Sequence, residues 1–419
     1  MQLIRRNNLI RLILALGIVI VVKCLLMQPY TTEENRVKRF VGRLRMDIKL
    51  IGIEGKTRNC YKTFLIYGMK PYWKEFLTYK FISKYKYLID FPRDISCPHL
   101  NCHVRLKFSN QAKDLAGVDV VVFTNTNEWL SPDMWEWTIN NRTDGQKWIF
   151  ISIESPLYAS GLRPPDDYAD LAYDWFASYK LDSDIYQPYG FYDVYEQHAR
   201  PQHIDLQKFI AHKTHSVVWM GKNCDIFPWN REAFIESLSN LVNVDKFGAC
   251  GDKELPWHNE EAVREVLSKY KFYLALENSC CVDYITEKFW RSLDFGLVPV
   301  VVGASYEQYL KVAPPNSFIH VDQFESIEDL AIYLVSVSND DEKYLEFHKW
   351  RNLGGVFSYN QDEKFISPLM DSTQCAILEK VLTTSEEENK KLDFLGSKWR
   401  GSCGFCGYKW IQSFGHKRS

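Results

Sequence analysis

The residue types best suited to chemistry gather in residues 272–303, FYLALENSCCVDYITEKFWRSLDFGLVPVVVG. An apolar strand pattern breaks into a polar turn carrying Glu277, Asn278 and Ser279, resumes as a helix near Thr286, and ends in a second apolar strand. Open α/β sheets bind ligands in the crevice outside the carboxyl ends of their strands, so this unit holds its reactive side chains at a ligand edge. A helix start presents unpaired N–H groups and a partial positive charge. Tyr284, Glu287 and Lys288 cluster there, and Lys288 makes the helix start a seat for a phosphate-bearing ligand; solvated surface charges are the plainer alternative for Thr-Glu-Lys taken alone. A second strand, loop and helix start, residues 217–236, carries Asn230 and Arg231. A guanidinium there offers a planar donor fork to a diphosphate, whereas an Arg merely exposed in a first turn would be slightly disfavoured by the helix dipole.

Glu154 ends the strand pattern WIFISIE, and Pro156 two residues later stops the strand and turns the chain. That leaves a carboxylate at a carboxyl edge, able to act as a base or simply to cap a surface turn. Asp182-Ser183-Asp184 is formally a metal-binding triplet, which would hold a divalent cation on a diphosphate only if its oxygens converge.

The elements that must position these residues alternate. Residues 118–123 (VDVVVF) and 147–154 (KWIFISIE) are strands of a first α/β region. From residue 216 onward SVVWMG, VDKFGAC, KFYLALE, VPVVV and FIHV read as strands, and NREAFIESLSNLV and EEAVREVLSKY as helices. Phe234, Leu238 and Leu241 mark one helix face, and Ile327, Leu330, Ala331 and Leu334 mark another at i, i+3, i+4 and i+7. Alternating strands and helices predict a parallel sheet covered on both faces. The expected architecture is α/β, two Rossmann-like halves enclosing a cleft, with a hinge between His203 and His215.

Glu277-Asn278-Ser279, DYITEK and GLVPVVVG at this spacing, with Glu154-Ser155-Pro156 and YDWFASYKLDSDIYQPYG, resemble the α1,3-fucosyltransferases. That resemblance implies a GT-B-like fold and an inverting transfer of L-fucose from GDP-fucose to the 3-hydroxyl of an N-acetylglucosamine residue in a glycoconjugate. It implies Glu154 as general base, a role worth about 10² to 10⁴-fold in such reactions. It also implies Arg231, Glu277, Asn278, Tyr284, Glu287 and Lys288 as donor contacts, with no metal ligands and no required cofactor; stimulation by a divalent metal is left open. Asp182 and Asp184 then belong to loop structure. A metal-dependent transferase using those two aspartates and a non-catalytic membrane-tethered lectin are the alternatives. Leu276 before Glu277, the Cys280-Cys281 doublet and TNTNEW after VVVF depart from the family pattern, which leaves open whether the acceptor is a core N-glycan, an antennal unit or a glycolipid.

Composition fits this class. The 419 residues are 46% hydrophobic and 15% aromatic, enough for sizeable cores, and the net charge of -2 gives no global basic field for nucleic acid. Arg5, Arg6 and Arg11 precede the apolar stretch LILALGIVIVV of residues 12–22, and residues 9–27, with Arg11 and Lys23 snorkelling toward the head groups, come near the roughly 20 residues a membrane-spanning helix needs. A cleaved signal is the competing reading, but no small-residue cleavage site follows the run, so it is read as an uncleaved anchor. The charge bias then leaves residues 1–8 cytosolic and the rest lumenal, a single-pass type II protein of the Golgi membrane. A stem spans residues 28–58, an acceptor domain 59–207, a GDP-fucose domain 208–370 and a tail 371–419. Ten of the 11 cysteines lie beyond the run, an even number suited to disulfides. Cys403 and Cys406 form a CxxC, read as a local disulfide rather than half a zinc site. Asn141 opens an N-glycosylation sequon that a lumenal location makes usable.

Overall fold

Valine-rich runs with no polar alternation need cover on both faces, and two parallel sheets supply the framework. The structure, a computed structural model, describes residues 60–67, 92–109, 111–123, 132–157, 173–195, 203–222, 224, 229–255, 260–358, 363–384, 399–404 and 406. The expected anchor at residues 9–27, its tail and the stem to residue 58 lie outside them, as does TNTNEW. Among the described residues no helix is long and apolar enough to cross a membrane.

The first sheet contains β1 (Cys60–Tyr67), β2 (Arg93–Cys97), β3 (Cys102–Ser109), β4 (Val120–Phe123), β5 (Lys147–Ser152), β6 (Trp175–Ser178) and β7 (Ile185–Tyr186), in the order β2-β3-β1-β4-β5-β6-β7. Only β2, paired with β3, is antiparallel. Its faces are filled by Leu65, Phe123, Trp148 and Phe150 on one side and by Phe64, Val104, Val122 and Ile149 on the other. Each such fully buried side chain contributes roughly 1.5–3 kcal/mol of transfer free energy.

After β8 (Gly190–Val194) comes the second sheet: β9 (His215–Met220), β10 (Val244–Phe247), β11 (Tyr270–Leu276), β13 (Val298–Val302) and β14 (Ile319–His320). Its order is β10-β9-β11-β13-β14, all parallel. The strand order reverses between β9 and β11, the switch point at which doubly wound sheets open a ligand crevice. Helix Arg231–Ser239 covers this sheet with Phe234, Ile235 and Leu238, and helix Ile327–Ser338 with Leu330, Ala331, Leu334 and Val337. Leu241 lies past the first helix's end and is exposed. Residues 318–321, expected as a strand, give only two strand residues before a 3-10 turn begins at Val321.

The chain does not finish on the second sheet. β15 (Gly354–Ser358) pairs antiparallel with β8, and helix Glu363–Thr383 returns to the first sheet, where Cys375 is joined to Cys97. The segment expected as a tail from residue 371 is therefore partly built into the first sheet's cover.

The CxxC reading is corrected. Cys403 bonds to Cys281 and Cys406 to Cys280. β12 (Cys280–Cys281) and β16 (Cys403–Gly404) form an antiparallel pair with Cys281 opposite Cys403. Successive strand residues point to opposite faces, so adjacent cysteines cannot share one partner and each takes its own. The remaining described pairs are Cys60–Cys102 and Cys224–Cys250. A non-reducing digest read by tandem mass spectrometry is expected to release residues 280–281 cross-linked to residues 403–406. Reducing that doublet should lower the melting temperature by on the order of 5 °C or more. A Cys403–Cys406 loop with Cys280 and Cys281 free would contradict the pairing.

Candidate active site

The site is built around the exit of β11. Glu277 follows the strand, its backbone N–H still bonded to Val302 (2.9 Å), and its side chain is fully buried. Oε1 accepts from the Thr286 backbone N–H (2.8 Å), and Oε2 accepts from the Thr286 hydroxyl (2.7 Å) and Lys288 Nζ (2.9 Å). Thr286 is the N-cap of helix Glu287–Asp294, so a carboxylate takes the place of the side-chain cap and meets the positive end of the helix. Gly303 leaves the space: a Cβ there would lie 2.7 Å from Glu277 Cγ.

Burial pushes the Glu277 carboxyl up, while Lys288 and the Thr286 donors oppose it. Burial likewise works against charge on Lys288, but Glu277 and Glu287 hold that ammonium above the usual lysine range. Lys288 Nζ also stands 3.3 Å from Glu287 Oε1. Against burial, Lys288 and Arg291 draw the Glu287 carboxyl below its ordinary range. Asn278 carries a buried Oδ1 without a hydrogen-bond partner. Buried polar atoms are nearly always satisfied, which makes this oxygen an exception at the strand exit.

Arg231 begins its helix after β9, on the other side of the switch point, and is buried. Asn230 caps that helix by accepting from Ala233 N (3.0 Å). Two residues before Arg231, Trp229 donates its indole N–H to the Glu277 carbonyl (2.9 Å). The starts of these two helices are thereby tied to one strand exit.

Glu154 lies two residues beyond the end of β5, further out than the strand pattern implied. Its exit loop is stitched in place: Ser152 Oγ donates to the Glu154 carbonyl (3.2 Å) and Tyr189 Oη to the Ile153 carbonyl (2.5 Å). The segment after Glu277 reaches across from the second sheet to grip the same loop. Tyr284 Oη donates to Glu154 Oε2 (3.0 Å), and the Ser155 hydroxyl donates to the Ser279 hydroxyl (2.7 Å). Asp283, in the left-handed region at φ 60, accepts from Leu181 N (3.1 Å). Burial raises the Glu154 carboxyl above its ordinary range; Lys288 and the Tyr284 hydroxyl pull it down, and Glu287 and Glu277 push it up.

All the expected site residues except the cysteines and Asn141 therefore meet at the facing carboxyl ends of β5 and β11 or at the start of the helix after β9. Tyr284 differs from expectation. It belongs to the buried cluster of the first sheet, its ring 4.9 Å from Tyr179 and 6.3 Å from Tyr189, and its hydroxyl is committed to Glu154. Ser155 and Ser279 stand in the motifs read from the sequence, but their mutual bond, like the roles of Asp283, Tyr189 and Trp229, joins segments far apart in sequence, and no spacing signals it. The Asp182 and Asp184 carboxylates have separate partners: Asp184 accepts from Phe176 N (3.0 Å) and Asp182 faces Lys180 (3.2 Å). Asn141 lies just past helix Pro132–Asn140, donating from Nδ2 to the Trp137 carbonyl (2.8 Å).

Comparison with known proteins identifies the family. The family model described as fucosyltransferase, N-terminal, matches residues 64–190, and glycosyltransferase family 10 (fucosyltransferase) C-term matches residues 210–395. The chain is 40% identical over 215 residues to 4-galactosyl-N-acetylglucosaminide 3-alpha-L-fucosyltransferase FUT6 of Homo sapiens, covering 50% of this chain and 55% of that protein. It is 40% identical over 211 residues to 3-galactosyl-N-acetylglucosaminide 4-alpha-L-fucosyltransferase FUT3 of Pan troglodytes, covering 50% and 53%. These alignments span about half the length of the curated relatives. The crystal structure of an alpha1,3-fucosyltransferase with GDP-fucose aligns at 16% identity over 80% of this chain and 94% of that one, with a TM-score of 0.46. The two family models together take in well over half of the sequence and meet the motifs around Glu154 and Lys288, and the chain belongs to glycosyltransferase family 10, the fucosyltransferases.

Proposed function

We propose that the protein is an inverting transferase that moves L-fucose from GDP-fucose to the 3-hydroxyl of an N-acetylglucosamine residue, working in the Golgi lumen behind an N-terminal anchor. Two Rossmann-like domains of GT-B type, one holding acceptor and one holding donor, enclose the cleft in this reading. The observation that carries it is that one segment, residues 277–288, grips a partly buried carboxylate, Glu154, through Tyr284 (3.0 Å) and holds a cation at a helix start, Lys288, on Glu277 (2.9 Å).

In this mechanism Glu154 takes the proton of the acceptor hydroxyl as its oxygen bonds to the anomeric carbon. The bond from that carbon to the diphosphate oxygen breaks, and GDP leaves with the electron pair. Attack opposite the leaving group converts the β-linked donor to an α-linked product. Arg231 and Lys288 offset the charge that gathers on GDP, and preorganised cations where charge develops are usually a large term in catalysis. Asn278 Oδ1 receives a donor from the nucleotide, and Glu287 stands at the same helix start for the ribose. No metal is needed, because the guanidinium and ammonium supply the positive charge; the separate partners of Asp182 and Asp184 favour this over the metal-dependent reading. The named relatives are 3- and 4-fucosyltransferases, which supports transfer over the lectin reading.

Glu154→Gln is expected to keep its fold and its affinity for GDP by calorimetry while losing about 10² to 10⁴-fold in transfer rate. Retained turnover in the folded variant would remove Glu154 as base. Arg231→Ala should depress turnover with GDP-fucose much more than it depresses folding. Lys288→Ala should weaken GDP binding and also cost about 3–5 kcal/mol of stability, because it leaves the Glu277 charge buried without its cation. Glu277 in that variant gains a proton more readily folded than unfolded. Its penalty is therefore largest at neutral pH and shrinks as pH falls toward the carboxyl range, which denaturant titrations at two pH values would measure.

A further inference from the structure

Tyr284 lies in the segment that leaves the donor-side sheet, yet its side chain is part of the first sheet's core and its hydroxyl ends on Glu154. The hydrogen bond is made to Oε2. Among the described residues no hydrogen bond is made to Oε1. The tyrosine has little freedom to move. It is 1% exposed, its ring lies 4.9 Å from Tyr179 and 6.3 Å from Tyr189, and Thr286 two residues on is anchored by backbone and hydroxyl to Glu277. Both neighbours of the doublet Cys280-Cys281 are fixed as well, because each of those cysteines is in a disulfide.

We propose that Tyr284 is the positioning residue of the Glu154 base: by donating to Oε2 it fixes the rotation of the carboxylate and leaves Oε1 as the atom that takes the acceptor's proton. This rests on the reading of Glu154 as base and deepens it, since it moves Tyr284 from the donor contacts to the proton-transfer machinery. It also makes the base depend on the donor-side segment, because the group that aims Glu154 is carried between Glu277 and Lys288.

The charged and titratable groups that act on Glu154 come from both sides: Lys288, Glu277, Glu287 and Tyr284 from the donor side, Tyr179 and Tyr189 from its own. Of these, Tyr284 is the one that donates a hydrogen bond to the carboxylate. A hydrogen bond to the charged form favours that form, so Tyr284 counteracts the effect of burial and keeps the base ionised to lower pH. The base works only when ionised, so its protonation sets the acid limb of the rate profile.

The test uses the full chain with GDP-fucose and an N-acetylglucosamine-containing acceptor. Tyr284→Phe is expected to lower kcat about ten- to hundredfold, the range for losing a hydrogen bond to a charged group, with the KM for GDP-fucose unchanged. Its acid limb should move to higher pH. Site-specific 3-fluorotyrosine at 284, a stronger donor of the same shape, should move the limb to lower pH and serves where the phenylalanine variant fails to fold. Ser279→Ala removes the neighbouring cross-sheet bond without touching Glu154; it should lower the melting temperature and leave the limb where it is. A limb that moves with neither variant at position 284, or a raised KM for GDP-fucose at unchanged kcat, would overturn the proposal. If Glu154→Gln is itself active, the base reading fails instead; if it is inactive while the limb stays fixed, only the role of Tyr284 fails.

Discussion

A fully buried carboxylate organises the site. Glu277 sits where β11 ends, and its two oxygens collect the Thr286 N–H, the Thr286 hydroxyl and the Lys288 ammonium. An isolated charge in that position would cost several kcal/mol, and only the convergence of these three donors makes it tolerable. In exchange the eight residues from Asn278 to Ile285 form a closed loop pinned at both ends. A loop of that kind can project side chains with the precision of a strand.

The projected side chains carry the rest of the architecture. Ser279, Asp283 and Tyr284 each bond to the first sheet, at Ser155, Leu181 and Glu154 respectively. Two disulfides to residues 403 and 406 hold the middle of the same loop. The carboxylate proposed as base and the cations proposed for the leaving group thus share one support. The cost is a left-handed Asp283, a conformation that aspartate tolerates better than most residues. Trp229 brings the Arg231 helix to the same anchor through the Glu277 carbonyl. Electrostatics follow from the layout: burial raises the Glu154 carboxyl above its ordinary range while Lys288 and Tyr284 restrain it.

Much of this was legible in the sequence where the physics is local. The strands of the second sheet are apolar runs bounded by glycine and polar turns, and the helix of residues 327–338 shows its stripe directly. Glu154 and Lys288 could be placed at strand and helix ends because Pro156 and the Thr-Glu-Lys start mark those ends. What escaped depends on contacts between distant segments. Nothing near Tyr284 says that its ring enters the other sheet's core, and nothing near Cys403 says that its partner is Cys281 instead of Cys406. The doublet Cys280-Cys281 held a usable signal, since two adjacent strand cysteines need two partners on opposite faces. Helix Glu363–Thr383 escaped for the same reason: its return to the first sheet is fixed by Cys375 meeting Cys97, a pairing that no spacing reveals.

The central claim is that this cleft transfers fucose without metal, and product analysis tests it most directly. The chain from residue 31 onward would be incubated with GDP-fucose and a panel of core N-glycan, lactosamine-type and glycolipid acceptors, with and without EDTA, and products read by mass and by linkage NMR. The account predicts one added fucose, α-linked to O3 of N-acetylglucosamine, in equal yield with the chelator present. Folded protein that binds GDP yet yields no fucosylated product, or yields one only when manganese is restored after EDTA, would contradict it.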